Sequence, residues 1–217
     1  MNIKLTYVNR AELAPTDLPT LLLFQKQIAG ETESALIWKV IRNCRHTHFH
    51  PMVFSTDLNI SLGDDFGNYS KLLPVANGNE FKVALSGNRP HLSVVHVGDA
   101  ADGVTVHNHL PTDAFKACLF MRGQLMAIRA PVPSGEQDNF ALDNTLWMAI
   151  GRRGMSDEPV GPRWPGKKRP VREGDPVAQS LLDTAIPIPL SGVASANIVM
   201  YGNASNLTLK LENIILI

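Results

Sequence analysis

Eight consecutive residues, Cys44–Pro51 (CRHTHFHP), carry one thiol and three imidazoles. That density of nitrogen and sulfur donors is the pattern of a zinc site, or of a copper or nickel one. On a single strand His46, His48 and His50 would point the same way, with Cys44 in line as a fourth candidate, because side chains repeat every two residues. Neighbours on one strand face stand about 7 Å apart, so three in a row overreach one tetrahedral ion. Two flanking ligands, or one of them plus His91 or His96 from a paired strand, make the more realistic site. The competing reading is an exposed strand end or loop with polar alternation, whose imidazoles become charged near their usual pKa of about 6.5 and can act as a pH-dependent contact.

A second pair stands in VHNHLPTD (Val106–Asp113), where His107 and His109 form H-x-H. This resembles the first ligand pair of cupins, which implies a mononuclear, metal-dependent enzyme. The family's pattern continues to a glutamate and a later histidine. Here Asp113 or Ala114 stands at the first of these positions, and no histidine follows His109.

The stretch Arg152–Arg172 holds seven basic residues against two acidic ones, Asp157 and Glu158, and is broken by Pro159, Pro162, Pro165 and Pro170. Prolines at this density prevent regular structure and favour an extended arm. Within it Gly161–Lys168 (GPRWPGKK) imitates a phosphate-binding loop. The imitation fails because Pro162 and Pro165 have no N–H to offer a phosphate, and Lys168 stands where a magnesium-binding hydroxyl is required. The arm suits an acidic protein partner or a neighbouring subunit, with Arg163, Trp164, Lys167, Lys168 and Arg169 as contacts and the indole as anchor.

Other chemistry is sparse. Asp57–Asn68 (DLNISLGDDFGN) has calcium-type oxygens, but its glycine is misplaced for a calcium loop and its alternation with leucine already explains it as a strand. Tyr69, beside Asp64, Asp65 and Asn68, is the one candidate platform for a lectin-like site. No nucleophile is set beside a base, and no dinucleotide fingerprint is present.

A formal net charge of zero argues against a protein that neutralises nucleic acid, which needs an excess of Lys and Arg, and it lowers the barrier to self-association. Two cysteines, Cys44 and Cys118, cannot form a disulfide framework. The opening residues MNIKLTYVNRAEL have no apolar h-region, and the run Leu21–Phe24 is too short to cross a bilayer. These features predict a cytoplasmic protein without a transmembrane segment, with leaderless export as the other route.

The elements that would position these residues recur in order along the chain. LTYVN (Leu5–Asn9) matches VTVHN (Val104–Asn108), and PTDLPTLLLF (Pro15–Phe24) matches PTDAFKACLF (Pro111–Phe120). LIWKVIR (Leu36–Arg42) matches TLWMAIG (Thr145–Gly151), and SGNRPHLSV (Ser86–Val94) matches YGNASNLTL (Tyr201–Leu209). Four ordered matches predict two tandem, related halves, 1–98 and 99–217, the second enlarged by an insertion at 152–190. Local patterns are of strand type. Phe81–Leu85 alternates, as do Thr56–Gly63, with Leu58, Ile60 and Leu62 inward, and Asn206–Leu211. The parity change in the terminal NIILI predicts a bulge near Asn213. One helix is expected in DPVAQSLLDTAIP, capped by Asp175, with Val177, Leu181 and Ala185 on one face.

The chain thus reads as all-β: two related β-sandwich halves with pseudo-two-fold character and one short helix in the insertion. A single jelly roll using both halves is the other arrangement. The functional expectation is a non-enzymatic protein acting by self-assembly, as a homo-oligomer, or by binding a partner or ligand. The alternatives are a His-rich zinc-binding protein or cupin-like enzyme, and a membrane-active or lectin-like sandwich.

Overall fold

The computed structural model describes residues 2–14, 18–29, 32–42, 44–64, 66–98, 103–112, 114–129, 131–140, 145–151, 172, 174–203 and 205–217. The protein is nearly all β. Its first half carries β1 (Asn2–Asn9), β2 (Thr20–Phe24), the short pair β3 (Gln27–Ala29) and β4 (Thr32–Ser34), β5 (Ile37–Ile41), β6 (Phe49–Ser55), β7 (Leu58–Gly63), β8 (Leu73–Val75), β9 (Asn79–Ser86) and β10 (Arg89–Val97). The second carries β11 (Val104–Asn108), β12 (Lys116–Met121), β13 (Gln124–Ile128), β14 (Gln137–Phe140), β15 (Thr145–Gly151), α1 (Gln179–Asp183), β16 (Ile186–Pro189), β17 (Val193–Asn203) and β18 (Asn206–Leu216).

Two compact units form. One comprises Met1–Lys26, Glu33–Thr56 and Asn144–Ile217; the other comprises Gln27–Thr32 and Asp57–Asp143. We call them the outer and inner units after their order in the chain. The outer unit holds two four-stranded sheets, ordered β18-β17-β1-β6 and β16-β15-β2-β5. The inner unit also holds two, ordered β10-β9-β11-β14 and β8-β7-β12-β13. The expected halves, 1–98 and 99–217, each contribute strands to both units.

The two strand orders are the same under one substitution: β1, β2, β5 and β6 correspond to β11–β14, and β15–β18 correspond to β7–β10. Among the described residues each unit has one parallel strand pair, β1 with β17 and β9 with β11, in a sheet whose other neighbours are antiparallel. Register irregularities coincide as well, falling between Leu23 and Phe24 where β2 meets β5, and between Leu119 and Phe120 where β12 meets β13. Three of the four repeated strings fall on corresponding strands. The fourth, LIWKVIR with TLWMAIG, joins β5 to β15, which do not correspond.

Alternation decides what each strand buries. In the inner unit Ile60, Leu62, Phe81, Val83, Val106, Ala117 and Leu119 belong to one apolar core. In the outer unit Ile3, Leu5, Tyr7, Leu21 and Leu23 are all buried. At the C-terminal end Leu207, Leu209 and Leu211 are half-buried while Asn206, Thr208 and Lys210 are exposed, as the alternation requires. The predicted bulge is present: Asn213 has φ 49°, and the β17–β18 register shifts between Ser195 and Asn197.

The helix needs correction. It begins after Ala178, without a side-chain cap, rather than at Asp175. Asp175 and Val177 are instead held extended, because the Asp175 carbonyl accepts Ile37 N–H at 2.8 Å and Val177 N–H reaches the Ala35 carbonyl at 2.9 Å. The Asp175 carboxylate takes the Arg172 N–H at 2.8 Å. Val177 and Leu181 do bury, together with Leu182, on Leu22, Phe24, Ile37 and Ala149, and Ala185 packs beside them.

Candidate functional site

The Cys44–His50 segment is a turn entering a strand, so its three histidines do not share one strand face. His46 and Thr47 form the turn, and β6 starts only at Phe49. Thr47 takes φ 64°, a left-handed conformation that reverses the chain. The segment clips the end of β1. Buried Asn9 donates from Nδ2 to the Cys44 carbonyl at 2.6 Å and accepts Ala11 N–H at 2.9 Å on Oδ1. Thr47 N–H bonds the Asn9 carbonyl at 2.8 Å, and the His46 ring Nδ1 lies 3.3 Å from the Ala11 carbonyl.

The inner unit builds the same clip with no histidine. Buried Asn108 donates to the Val132 carbonyl at 2.8 Å and accepts Leu110 N–H at 2.8 Å. Gly135 N–H bonds the Asn108 carbonyl at 2.9 Å, from a residue with φ 78°. Ser134 Oγ reaches the Leu110 carbonyl in the place of the His46 ring. Cys44, His46, Thr47 and His48 therefore stand where Val132, Ser134, Gly135 and Glu136 stand.

The remaining geometry of this segment follows from burial. Cys44 is fully buried and burial raises its thiol pKa to about 11, so it is neutral at physiological pH. Its neighbour Tyr7 is pushed up by the same cause, and the Tyr7 hydroxyl points to Met200 Sδ at 3.5 Å. His50 pairs with Tyr7 across β1 and β6, and desolvation lowers its pKa. His46 and His48 are exposed. Among the described residues no group of three His, Cys, Asp or Glu side chains is placed to hold a metal ion.

In the H-x-H pair His107 Nε2 lies 3.8 Å from a Glu80 carboxylate oxygen, and the rings of His107 and His109 are 6.3 Å apart. Asp113, the cupin-like candidate, lies outside the described residues, as do Arg163, Trp164, Lys167, Lys168 and Arg169 of the arm and Asp65 of the lectin-like group.

A cleft of about 790 Å³ opens in the inner unit beside Leu62, Asp64, Phe66, Tyr69, Arg89 and Lys116. Asp64 Oδ1 accepts the N–H groups of Phe66 and Asn68, both at 2.8 Å, and Oδ2 accepts Asn68 Nδ2 at 2.8 Å. These bonds, led by the Asn68 amide, hold its carboxyl below the usual range. A carboxylate saturated by N–H donors in this way closes a turn. The turn presents Phe66 at 90% exposure, an aromatic that sequence reading passed over. Its signal was there: an aromatic between Asp and Gly in a turn has no strand face in which to bury. Tyr69 is less of a platform than expected, since its ring stands edge-on against Phe120 with centroids 5.0 Å apart.

Among the described residues an exposed apolar run closes β18 and continues into the residue after it, with Ile214, Ile215, Leu216 and Ile217 47–77% exposed. β18 is an edge strand of its sheet, and so is its counterpart β10, which exposes Val94, Val95 and Val97. Leu211 and Val94 hold corresponding registers, opposite Ile198 and Phe81, and each strand bulges shortly afterwards. No family model, curated protein or solved structure matches this chain. No helix of the described residues is long and apolar enough to cross a membrane.

Proposed function

We propose that this is a non-enzymatic β-sandwich protein that works by self-assembly through its two corresponding edge strands. The observation that carries the reading is the exposed aliphatic end on both β10 and β18. An edge strand offers unpaired N–H and C=O groups, and proteins that stay monomeric usually blunt it with charge, proline or a covering loop. Here the bulges twist the two edges, yet the residues beyond them are Val97 and Ile214–Ile217 rather than lysines. A zero net charge leaves little long-range repulsion between copies. Two like edges on one chain make it bivalent, so association does not stop at a dimer unless a ring closes.

The test is the valence. Wild-type chains form multimers beyond the dimer in light scattering after gel filtration. Val97→Lys or Ile215→Lys alone caps association at the dimer, and the double variant is a monomer. A double variant that keeps the wild-type mass rules out these edges as the assembly surfaces.

A second reading, ligand binding of the lectin type, is favoured by Phe66 over the inner cleft. Saturation-transfer NMR with simple sugars would give a signal that Phe66→Ala removes. A signal unchanged in that variant places the ligand elsewhere.

A further inference from the structure

We infer that the chain is an internally exchanged pair: two copies of one eight-stranded module, 1–98 and 99–217, each giving its first four long strands to one sandwich and its last four to the other. Strand order alone could converge, because few sheet arrangements are available to eight strands. The detail within the order is harder to reach twice. The single parallel pair, the irregularity between Leu23 and Phe24 or Leu119 and Phe120, and the asparagine clip occupy corresponding places in both units. So do the glycines that end β7 and β15, Gly63 and Gly151, opposite Lys116 and Thr20. Apart from Gln27–Thr32, which belongs to the inner unit and has no counterpart, the chain leaves one unit for the other at matching points, between Thr56 and Asp57 after β6 and between Asp143 and Asn144 after β14.

This arrangement says what each module needs. β1 lies between β6 of its own module and β17 of the other, and β9 lies between β10 of its own and β11 of the other. A lone module would leave both of those central edges open. The partner that fits them is a second copy of the module, and the fused chain supplies it at fixed stoichiometry. The exchange is then a built-in domain swap, with the segment after β10 as the only covalent joint between modules.

Two experiments on the full-length chain test this. In the first, Arg45–His48 is replaced by the corresponding Pro-Ser-Gly-Glu of the inner unit. Equivalent clips predict that the variant folds, keeps the wild-type far-UV spectrum and melts no lower than wild type. A variant that fails to fold, or melts well below wild type, overturns the equivalence of the modules. In the second, a protease site is inserted between Ala100 and Ala101 and cut after folding. The two fragments remain together in equal numbers in a native mass spectrum and separate only in denaturant. Fragments that part in native buffer overturn the exchange itself, whatever the first experiment gives.

Discussion

The outer and inner units have sheets of the same strand order and differ in what covers one sheet of each. Between β7 and β8 the inner unit spends nine residues, 64–72, and between β15 and β16 the outer unit spends the far longer stretch 152–185. The outward sides of the corresponding strands bear apolar groups in both, Cys118 and Phe120 in one and Leu22 and Phe24 in the other. The inner unit covers that side with a tight turn: Tyr69 stands on Phe120, and Ser61 Oγ bonds the Ser70 carbonyl at 2.8 Å. The outer unit covers it with Val177, Leu181 and Leu182 around α1. One frame thus accepts a turn or a helical cover at the same connection, and the turn leaves a cleft with an exposed phenylalanine. The edges differ too. Beside β18, Arg10 bonds Tyr201 Oη at 2.8 Å and lies 3.4 Å from Glu212, a polar cluster at the place where β10 continues with Val95.

The largest expected effect tests what is common. Asn9→Ala and Asn108→Ala each strand a buried carbonyl and an N–H, which costs about 3 kcal/mol per variant. The two losses should agree within about 1 kcal/mol, given equal desolvation. Trp38, Trp147 and Trp164 all fall in the outer unit's segments, so tryptophan fluorescence in a urea titration follows that unit, while Asn108→Ala is followed by circular dichroism. A clip that matters in one unit alone would break the comparison.

The next effect measures a difference. A Cβ on Gly63 would stand 2.8 Å from Cys118 Sγ and 3.4 Å from the Tyr69 ring, whereas on Gly151 its nearest neighbour would be the Thr20 carbonyl at 3.3 Å. Gly63→Ala should cost about 2 kcal/mol, as overpacking of a filled site does, and Gly151→Ala about half of that. Equal costs in thermal melts would mean that the turn yields as easily as an open strand end. Smaller again is the clip's own backbone. Thr47→Gly should stabilise by about 1 kcal/mol by relieving a left-handed threonine, and Gly135→Thr should destabilise by about as much. Opposite signs in paired melts are the expected result.

The smallest effect concerns pH. Burial lowers His50 below its ordinary value of 6.5, so the unfolded chain takes up its proton more readily than the folded one. Stability from this site is therefore complete above about pH 6.5 and is lost as pH falls through the lower folded value. The corresponding residue of the inner unit is Asp138, whose carboxylate lies 3.4 Å from Arg129 Nε and cannot mimic this dependence. Tryptophan-detected melts between pH 7 and pH 5 should flatten in His50→Gln. An unchanged slope would assign the dependence to another group.

Much of the fold was legible because alternation is local. Ile60 and Leu62 lie in the core as their spacing required, although Leu58 is only half-buried and Ser61 is buried too, and the parity change at Asn213 announced its bulge. The likeness of the halves was visible in residues that do a particular job, such as Asn9 with Asn108. It was misleading where the match rested on common strand residues, as in Trp38 with Trp147. The SGN and YGN strings fell on the right hairpins but two residues out of step. Gly87 sits in its turn at φ 63°, whereas Gly202 lies within β17 at φ 101°, and it is Asn203 and Asn206 that pair where Ser86 and Arg89 pair. Which unit each strand joins could not be read at all, since similarity along a chain says nothing of which strands pair. The histidines misled for a related reason. On one strand they share a face, but a left-handed Thr47 makes the segment a turn, and no local signal in HTHFH forces that conformation.

The most direct test of the functional account is a native mass spectrum of the unmodified chain over a range of concentrations. Bare chains in multimers larger than the dimer, growing or closing into a ring as concentration rises, are the expected result. A monomer at every concentration, above all one carrying a stoichiometric metal increment, would contradict it and return attention to Cys44, His46, His48 and His50.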